Sequence, residues 1–190
     1  MNKTIPGVMV LLPVLLAALT AGSSETRVSR YLDEFADTLV AKQGWGNLGI
    51  TTAAWSPAAT PLRLRIAEQE YDRGLGHHAP GEMVIPLEGR YLSFIAEVGV
   101  QWQGGGKGSV VFEVWVDGEK RFDSGLMSDT DPAQVVEVDL TGARELRLVA
   151  LDGGDGISCD MANWPMPDWS MMEAFRPWDR PGIPWAARAY

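Results

Sequence analysis

The sequence predicts an all-β fold, an antiparallel β-sandwich of jelly-roll form, and three observations carry that prediction. Two long runs, Tyr91–Val100 and Ser109–Val116, alternate apolar and polar residues with a period of two, the mark of strands with one face in a core. An Asp-Gly pair, Asp117-Gly118, follows the second run and precedes a third, Glu119–Asp123, which is the strongest short-range signal of a hairpin. Further short strand-like runs come with frequent Gly and Pro turns and no helical run between them, the pattern of a sandwich.

Taken in order, the chain opens with Lys3, an apolar stretch Ile5–Leu19 and small residues Thr20–Ser24. Basic, apolar, small is the layout of a secretory signal peptide, assigned to residues 1–23. The apolar stretch is about 15 residues, short of the roughly 20 a spanning helix needs; a buried core helix and a retained anchor are the other readings. Tyr31–Ala41 reads as helical, and a first strand fits there equally. Leu62–Ile66 and Met83–Ile85 are expected short strands. In Tyr91–Val100, Leu92, Phe94, Ala96, Val98 and Val100 face inward; in Ser109–Val116, Val110, Phe112, Val114 and Val116 do. Val135–Leu140 and Glu145–Leu151 supply two more strands. From Trp164 on, tryptophans alternate with prolines, so the sandwich is expected to span residues 31–170. Residues 171–190 form a Trp/Pro-rich tail without regular structure.

Composition limits the partners. The 190 residues are 46% hydrophobic and 22% charged, ordinary for one domain. A formal net charge of −9, without a basic stripe, disfavours nucleic acid. Nothing beyond the signal segment suggests a membrane. An exported chain sits in an oxidising space, secreted or in the periplasm and cell envelope, yet Cys159 alone cannot form an internal disulfide.

The motifs argue against cofactors and catalysis. Gly74-Leu75-Gly76-His77-His78-Ala79 matches GxGxxA, but Pro80-Gly81 and a strand follow where a dinucleotide site needs a helix to open. Its glycines instead permit a tight backbone path. Gly104–Gly108 resembles a phosphate loop only in composition, because Lys107 is followed by Gly rather than Ser or Thr. Adjacent His77 and His78 point to opposite sides of a strand and cannot share one metal. Asp152, Asp155 and Asp160, among Gly153, Gly154 and Gly156, could offer oxygens to calcium, or could stabilise a turn. Trp45, between Gly44 and Gly46, and Trp102, before three glycines, could stack on a sugar or could cap the core. Trp115 is on the outward phase of its strand. His77, His78 and Gln101 could bond sugar hydroxyls or play structural roles.

Five blocks in order then resemble a known family. They are Gln43–Gly46, Tyr71–Ala79, Gly108–Gly118, Phe122–Gly125 and Gly153–Ile157 leading to Asp160-Met161-Ala162-Asn163-Trp164. Together they are similar to the NPCBM family of carbohydrate-binding modules, found beside glycoside hydrolase family 98 and related to carbohydrate-binding module family 51. The resemblance runs from about Tyr31 to Trp169. It implies a galactose-binding-domain-like sandwich, binding of galactose-type sugars, structural calcium at Asp152, Asp155 and Asp160, and no chemistry of its own. It adds Asn163 and Trp164 to a sugar-contacting set of Trp45, His77, His78, Gln101 and Trp102. One departure stands out: Met161 occupies the place of a family His, and a thioether cannot donate a hydrogen bond.

The function expected is therefore that of a secreted, non-catalytic module recognising glycans, an accessory to a glycoside hydrolase. The alternative is an envelope structural or protein-interaction domain that has kept the fold and lost the sugar. An independent glycosidase would need two suitably spaced carboxylates, which no motif supplies.

Overall fold

The structure is a computed structural model and describes residues 27–168, 170 and 172–175. The assigned signal segment and the Trp178 and Trp185 part of the tail lie outside the described residues. In chain order the strands are β1 (Arg27–Arg30), β2 (Val40–Gln43), β3 (Gly49–Ile50), β4 (Leu64–Ile66), β5 (Gln69–Tyr71), β6 (Gly74–His78) and β7 (Gly81–Pro86). They continue as β8 (Tyr91–Val100), β9 (Ser109–Val116), β10 (Glu119–Ser128), β11 (Gln134–Asp139), β12 (Glu145–Asp152), β13 (Met161–Pro165) and β14 (Met172–Phe175). Among the described residues the helical content is one 3-10 turn, Leu32–Phe35, and no helix is long and apolar enough to cross a membrane.

Two antiparallel sheets pack face to face. One runs β10-β9-β12-β7-β2; the other runs β1-β14-β8-β13-β6-β3, with β11 also paired to β8. The alternation in β9 puts Val110, Phe112, Val114 and Val116 inward, where they meet Leu146, Leu148 and Ala150 of β12 and Phe94, Ala96 and Val98 of β8 in one core. Burying such side chains contributes about 1.5–3 kcal/mol each relative to leaving them in water. The β9–β10 turn has positive φ at both Asp117 (49°) and Gly118 (83°), as a two-residue hairpin demands.

Four differences from the sequence reading have local causes. Tyr31–Ala41 is neither one helix nor one strand: the 3-10 turn buries Leu32 and Phe35, and β2 begins only at Val40. A bulge on β8, with Leu92 the extra residue opposite the Glu173–Ala174 step of β14, slips the parity at the start of β8, so Tyr91 is buried and Leu92 only half-buried. The sheet does not stop at residue 170. β14 pairs with β8 on one side and β1 on the other, because residues 172–175 lie between two prolines, Pro167 and Pro177, with none inside. Gly74–His78, read as a turn-like path, is itself a strand buried along its whole length.

Candidate functional site

Strand parity sorts the two histidines. In β6, Leu75 and His77 point between the sheets, opposite Trp164 and Ala162 of β13, while His78 points to the outer face beside its directly paired neighbour Met161. His77 is fully buried, its Nε2 on the Lys42 carbonyl at 3.1 Å. Burial disfavours its charged form and pulls its pKa down to about 4. It is a core histidine, not a sugar contact.

His78 opens onto a cavity of about 230 Å³ lined by Trp45, His78, Gln103, Ile157, Cys159 and Met161. Trp45 is 43% exposed, and its ring centroid lies 5.3 Å from that of His78 at a tilt of 52°. The flanking glycines explain how the indole is presented. A Cβ on Gly44 would lie 2.9 Å from Pro80 Cδ, and one on Gly46 would lie 2.7 Å from the Trp55 carbonyl oxygen. The chain passes too close to its neighbours for any other residue, and Trp45 is left standing at the rim. His78 Nδ1 lies 2.6 Å from the Ala79 carbonyl oxygen. A carbonyl only accepts, so Nδ1 carries a proton, and Nε2 is the nitrogen left for a ligand, an acceptor in the neutral imidazole. Gln103 is held by donating from Nε2 to the Cys159 carbonyl at 2.6 Å. Two larger clefts, of about 430 and 400 Å³, are lined mainly by charged side chains and offer no exposed aromatic face.

The other expected sugar contacts lie elsewhere. Gln101 and Asn163 are buried against each other beneath the β4–β5 hairpin. Asn163 Nδ2 donates to Gln101 Oε1 at 2.6 Å, and that oxygen also accepts from the Arg65 amide at 3.0 Å. They position a hairpin. Trp164 is 0% exposed and packs edge-on against Phe112 at 5.2 Å, a core side chain no ligand reaches. Trp102 is 37% exposed, but the Arg65 guanidinium covers one face at 4.1 Å, and the ring is not part of the cavity lining. Gln103, Ile157 and Cys159 were missed, because no motif marks them and only the fold brings them to Trp45.

The three aspartates do not converge. Asp152 Oδ1 accepts from the Gly154 amide, Asp155 Oδ1 from the Ser109 hydroxyl, and Asp160 Oδ1 from the Ser109 amide. One buried oxygen, Asp160 Oδ2, has no partner in the protein, and burial raises that carboxyl's pKa with Asp155 and Asp152 adding to the effect. Calcium takes six to eight oxygens. Among the described residues no three His, Cys, Asp or Glu side chains are placed to hold a metal ion, so these three carboxylates do not by themselves form a calcium cage.

Comparison with solved structures places this geometry among relatives. The chain is 32% identical to the CBM51 module of a Clostridium perfringens GH95 protein, solved in complex with methyl-galactose, with a TM-score of 0.66 over 76% of this chain and 99% of that one. It is 30% identical, with a TM-score of 0.67 over 78% of its length, to a structure of the M60 catalytic domain with two CBM51 domains of Clostridium perfringens ZmpB. A third structure, CBM51-2 with INT domains of the same protein in complex with GlcNAc, is 25% identical with a TM-score of 0.63 over 73% of this chain. The chain spans only 15% and 30% of those two longer structures. No curated protein matches. The NPCBM/NEW2 domain model matches residues 29–168, from the second half of β1 to just past β13, and the chain belongs to the NPCBM/NEW2 family.

Proposed function

We propose that this chain is an exported, non-catalytic glycan-binding module that takes a sugar of the galactose type into the cavity beneath Trp45. The observation that carries the reading is a half-exposed indole beside an imidazole whose Nδ1 is tied to a backbone carbonyl, at the rim of a shallow cavity open to solvent. Pyranose C–H groups stack on an aromatic face, and the His78 Nε2 lone pair and the Gln103 side chain give hydroxyls polar partners. No carboxylate lines the cavity, and glycoside hydrolysis requires two flanking the bond, which supports binding without turnover. The preference for galactose over N-acetylglucosamine is supported by the relative whose whole length this chain matches. The N-terminal basic, apolar, small layout supports export.

The test is calorimetric titration of the full chain with methyl-galactoside and with N-acetylglucosamine, in calcium and in chelator. Trp45→Ala is expected to weaken galactoside binding about tenfold or more, the loss of roughly 1.5 kcal/mol of stacking. Trp102→Ala is expected to change it less than about threefold, since Arg65 already occupies that ring. Unchanged affinity in both variants would remove the site. Folded protein that binds neither sugar would favour the envelope interaction domain.

A further inference from the structure

The donors around the cavity are unusual for a sugar site. Met161 and His78 are directly paired across β13 and β6, so their side chains share a face with Cβ atoms about 4.5–5.5 Å apart. Cys159 enters the same cavity from two residues upstream. Its carbonyl accepts from both Gln103 Nε2 (2.6 Å) and the Met161 amide (2.9 Å), and its φ is 71°, a conformation side-chain-bearing residues rarely adopt. The His78 residue is only 4% exposed. Its Nδ1 is held by the Ala79 carbonyl, so Nε2 is the ring nitrogen available to a ligand. The Trp45 ring lies beside that ring, with centroids 5.3 Å apart at a tilt of 52°. A thiol and a thioether are weak partners for sugar hydroxyls, whereas thiolate, thioether and imidazole together are a soft donor set, with no carboxylate or carbonyl cage that would favour a hard cation.

We propose that this cavity is a binding site for a soft monovalent metal ion of the Cu(I) type, with Cys159 Sγ, Met161 Sδ and His78 Nε2 as donors and the Trp45 ring beside the ion. Binding releases the Cys159 thiol proton to solvent and involves no electron transfer, so the thiolate neutralises the ion's charge. The nearby indole attracts what positive charge remains. The inference stands on the donor set and not on the glycan reading, although metal and sugar would compete for Trp45 and His78.

The test titrates the full, reduced, metal-free chain with Cu(I) under anaerobic conditions against a colorimetric Cu(I) chelator, with Ag(I) as a redox-inert substitute and tryptophan fluorescence as a second readout. One equivalent is expected to bind and to quench fluorescence in the wild type. Met161→Leu keeps the bulk and removes the sulfur, and it is expected to weaken binding about tenfold or more. Cys159→Ser and Cys159→Asn, the latter better suited to positive φ, should weaken it at least as much. Met127→Leu, a buried methionine away from the cavity, should leave it unchanged. Equal affinity in wild type and Met161→Leu, or no binding by folded wild-type chain, overturns the proposal. A Cys159-dependent covalent dimer without metal uptake overturns it in favour of an intermolecular disulfide. Glycan titration of the metal-free protein is read separately, so either proposal can fail alone.

Discussion

Gly76→Ala is expected to destabilise this domain strongly while leaving it folded. Gly76 sits in the middle of β6, and a Cβ there would lie 2.3 Å from the Thr52 carbonyl oxygen, 2.4 Å from Ala53 Cα and 2.5 Å from the Ala53 carbonyl carbon. All three are backbone atoms. They cannot step back freely: Thr51 N donates to the Gly74 carbonyl, Ala53 N donates to the Leu62 carbonyl, and Gly49 pairs directly with Gly76. The glycine is needed here for closeness, since its φ lies outside the left-handed range. Overpacking a rigid site typically costs about 1–3 kcal/mol. With only backbone to displace, we expect about 3 kcal/mol or more, and a Tm lower by roughly 6–12 °C for a domain of this size. Thermal unfolding followed by circular dichroism checks it. A Tm within about 2 °C of wild type would mean that the 51–54 segment yields without cost.

The second large effect is expected at Asp129. Its carboxylate is fully buried and accepts four backbone amides: Gly106 (2.6 Å) and Lys107 (3.0 Å) on Oδ1, Gln103 and Gly105 (both 3.2 Å) on Oδ2. One side chain therefore folds the glycine-rich loop whose Gln103 lines the Trp45 cavity and pins Cys159. A hydrogen bond to a charged group contributes about 1.5–3 kcal/mol. Several of the freed amides would be rehydrated because the loop lies at the surface, so Asp129→Ala should cost about 3–4 kcal/mol rather than the full sum. Asp129→Asn keeps one accepting oxygen but turns an N–H donor toward the other pair of amides, and it should recover less than half of that. Hydrogen exchange at residues 103–107 should rise in both variants. Galactoside affinity should fall with it, although Asp129 touches no ligand. Protection and Tm both unchanged in Asp129→Ala would show that the loop holds itself.

The same loop shows why a phosphate-loop reading fails in physical terms. Its amides converge on an anion, as such loops do, but the anion is the protein's own carboxylate, more than twenty residues down the chain. Nothing in Gly104-Gly105-Gly106 indicates that partner. The turn chemistry was visible, but its counterion was not.

Legibility in the sequence followed the water. Strands β8, β9, β11 and β12 each have one wetter face, so burial alternates along them and a period-two pattern reveals them, with the inward residues of β9 and, past the bulge at Leu92, of β8 read correctly. Strand β6 has no wet face: His77 is sealed between the sheets and Gly76 is covered by the 51–54 segment, so it carries no alternation to read. Strand β14 was hidden by its neighbours' composition. Its four residues form a strand because the edges of β1 and β8 satisfy their backbone groups. In the site, Trp45 was legible because its flanking glycines are a local signal. The rule that neighbouring strand residues face opposite ways had already separated His77 from His78.

What the sequence determined by itself was local: the all-β class, the strands with one wet face, the hairpin at Asp117-Gly118, and an exposed indole between two glycines. Which histidine faces the cavity, that Trp164, Gln101 and Asn163 are sealed inside, and that Cys159 and Gln103 meet Trp45 were decided only by the tertiary structure. These depend on pairings between residues tens of positions apart, such as Met161 with His78, and on which face of each strand the opposite sheet covers. A one-residue change of register would exchange every one of those faces without altering the local pattern that reveals the strand.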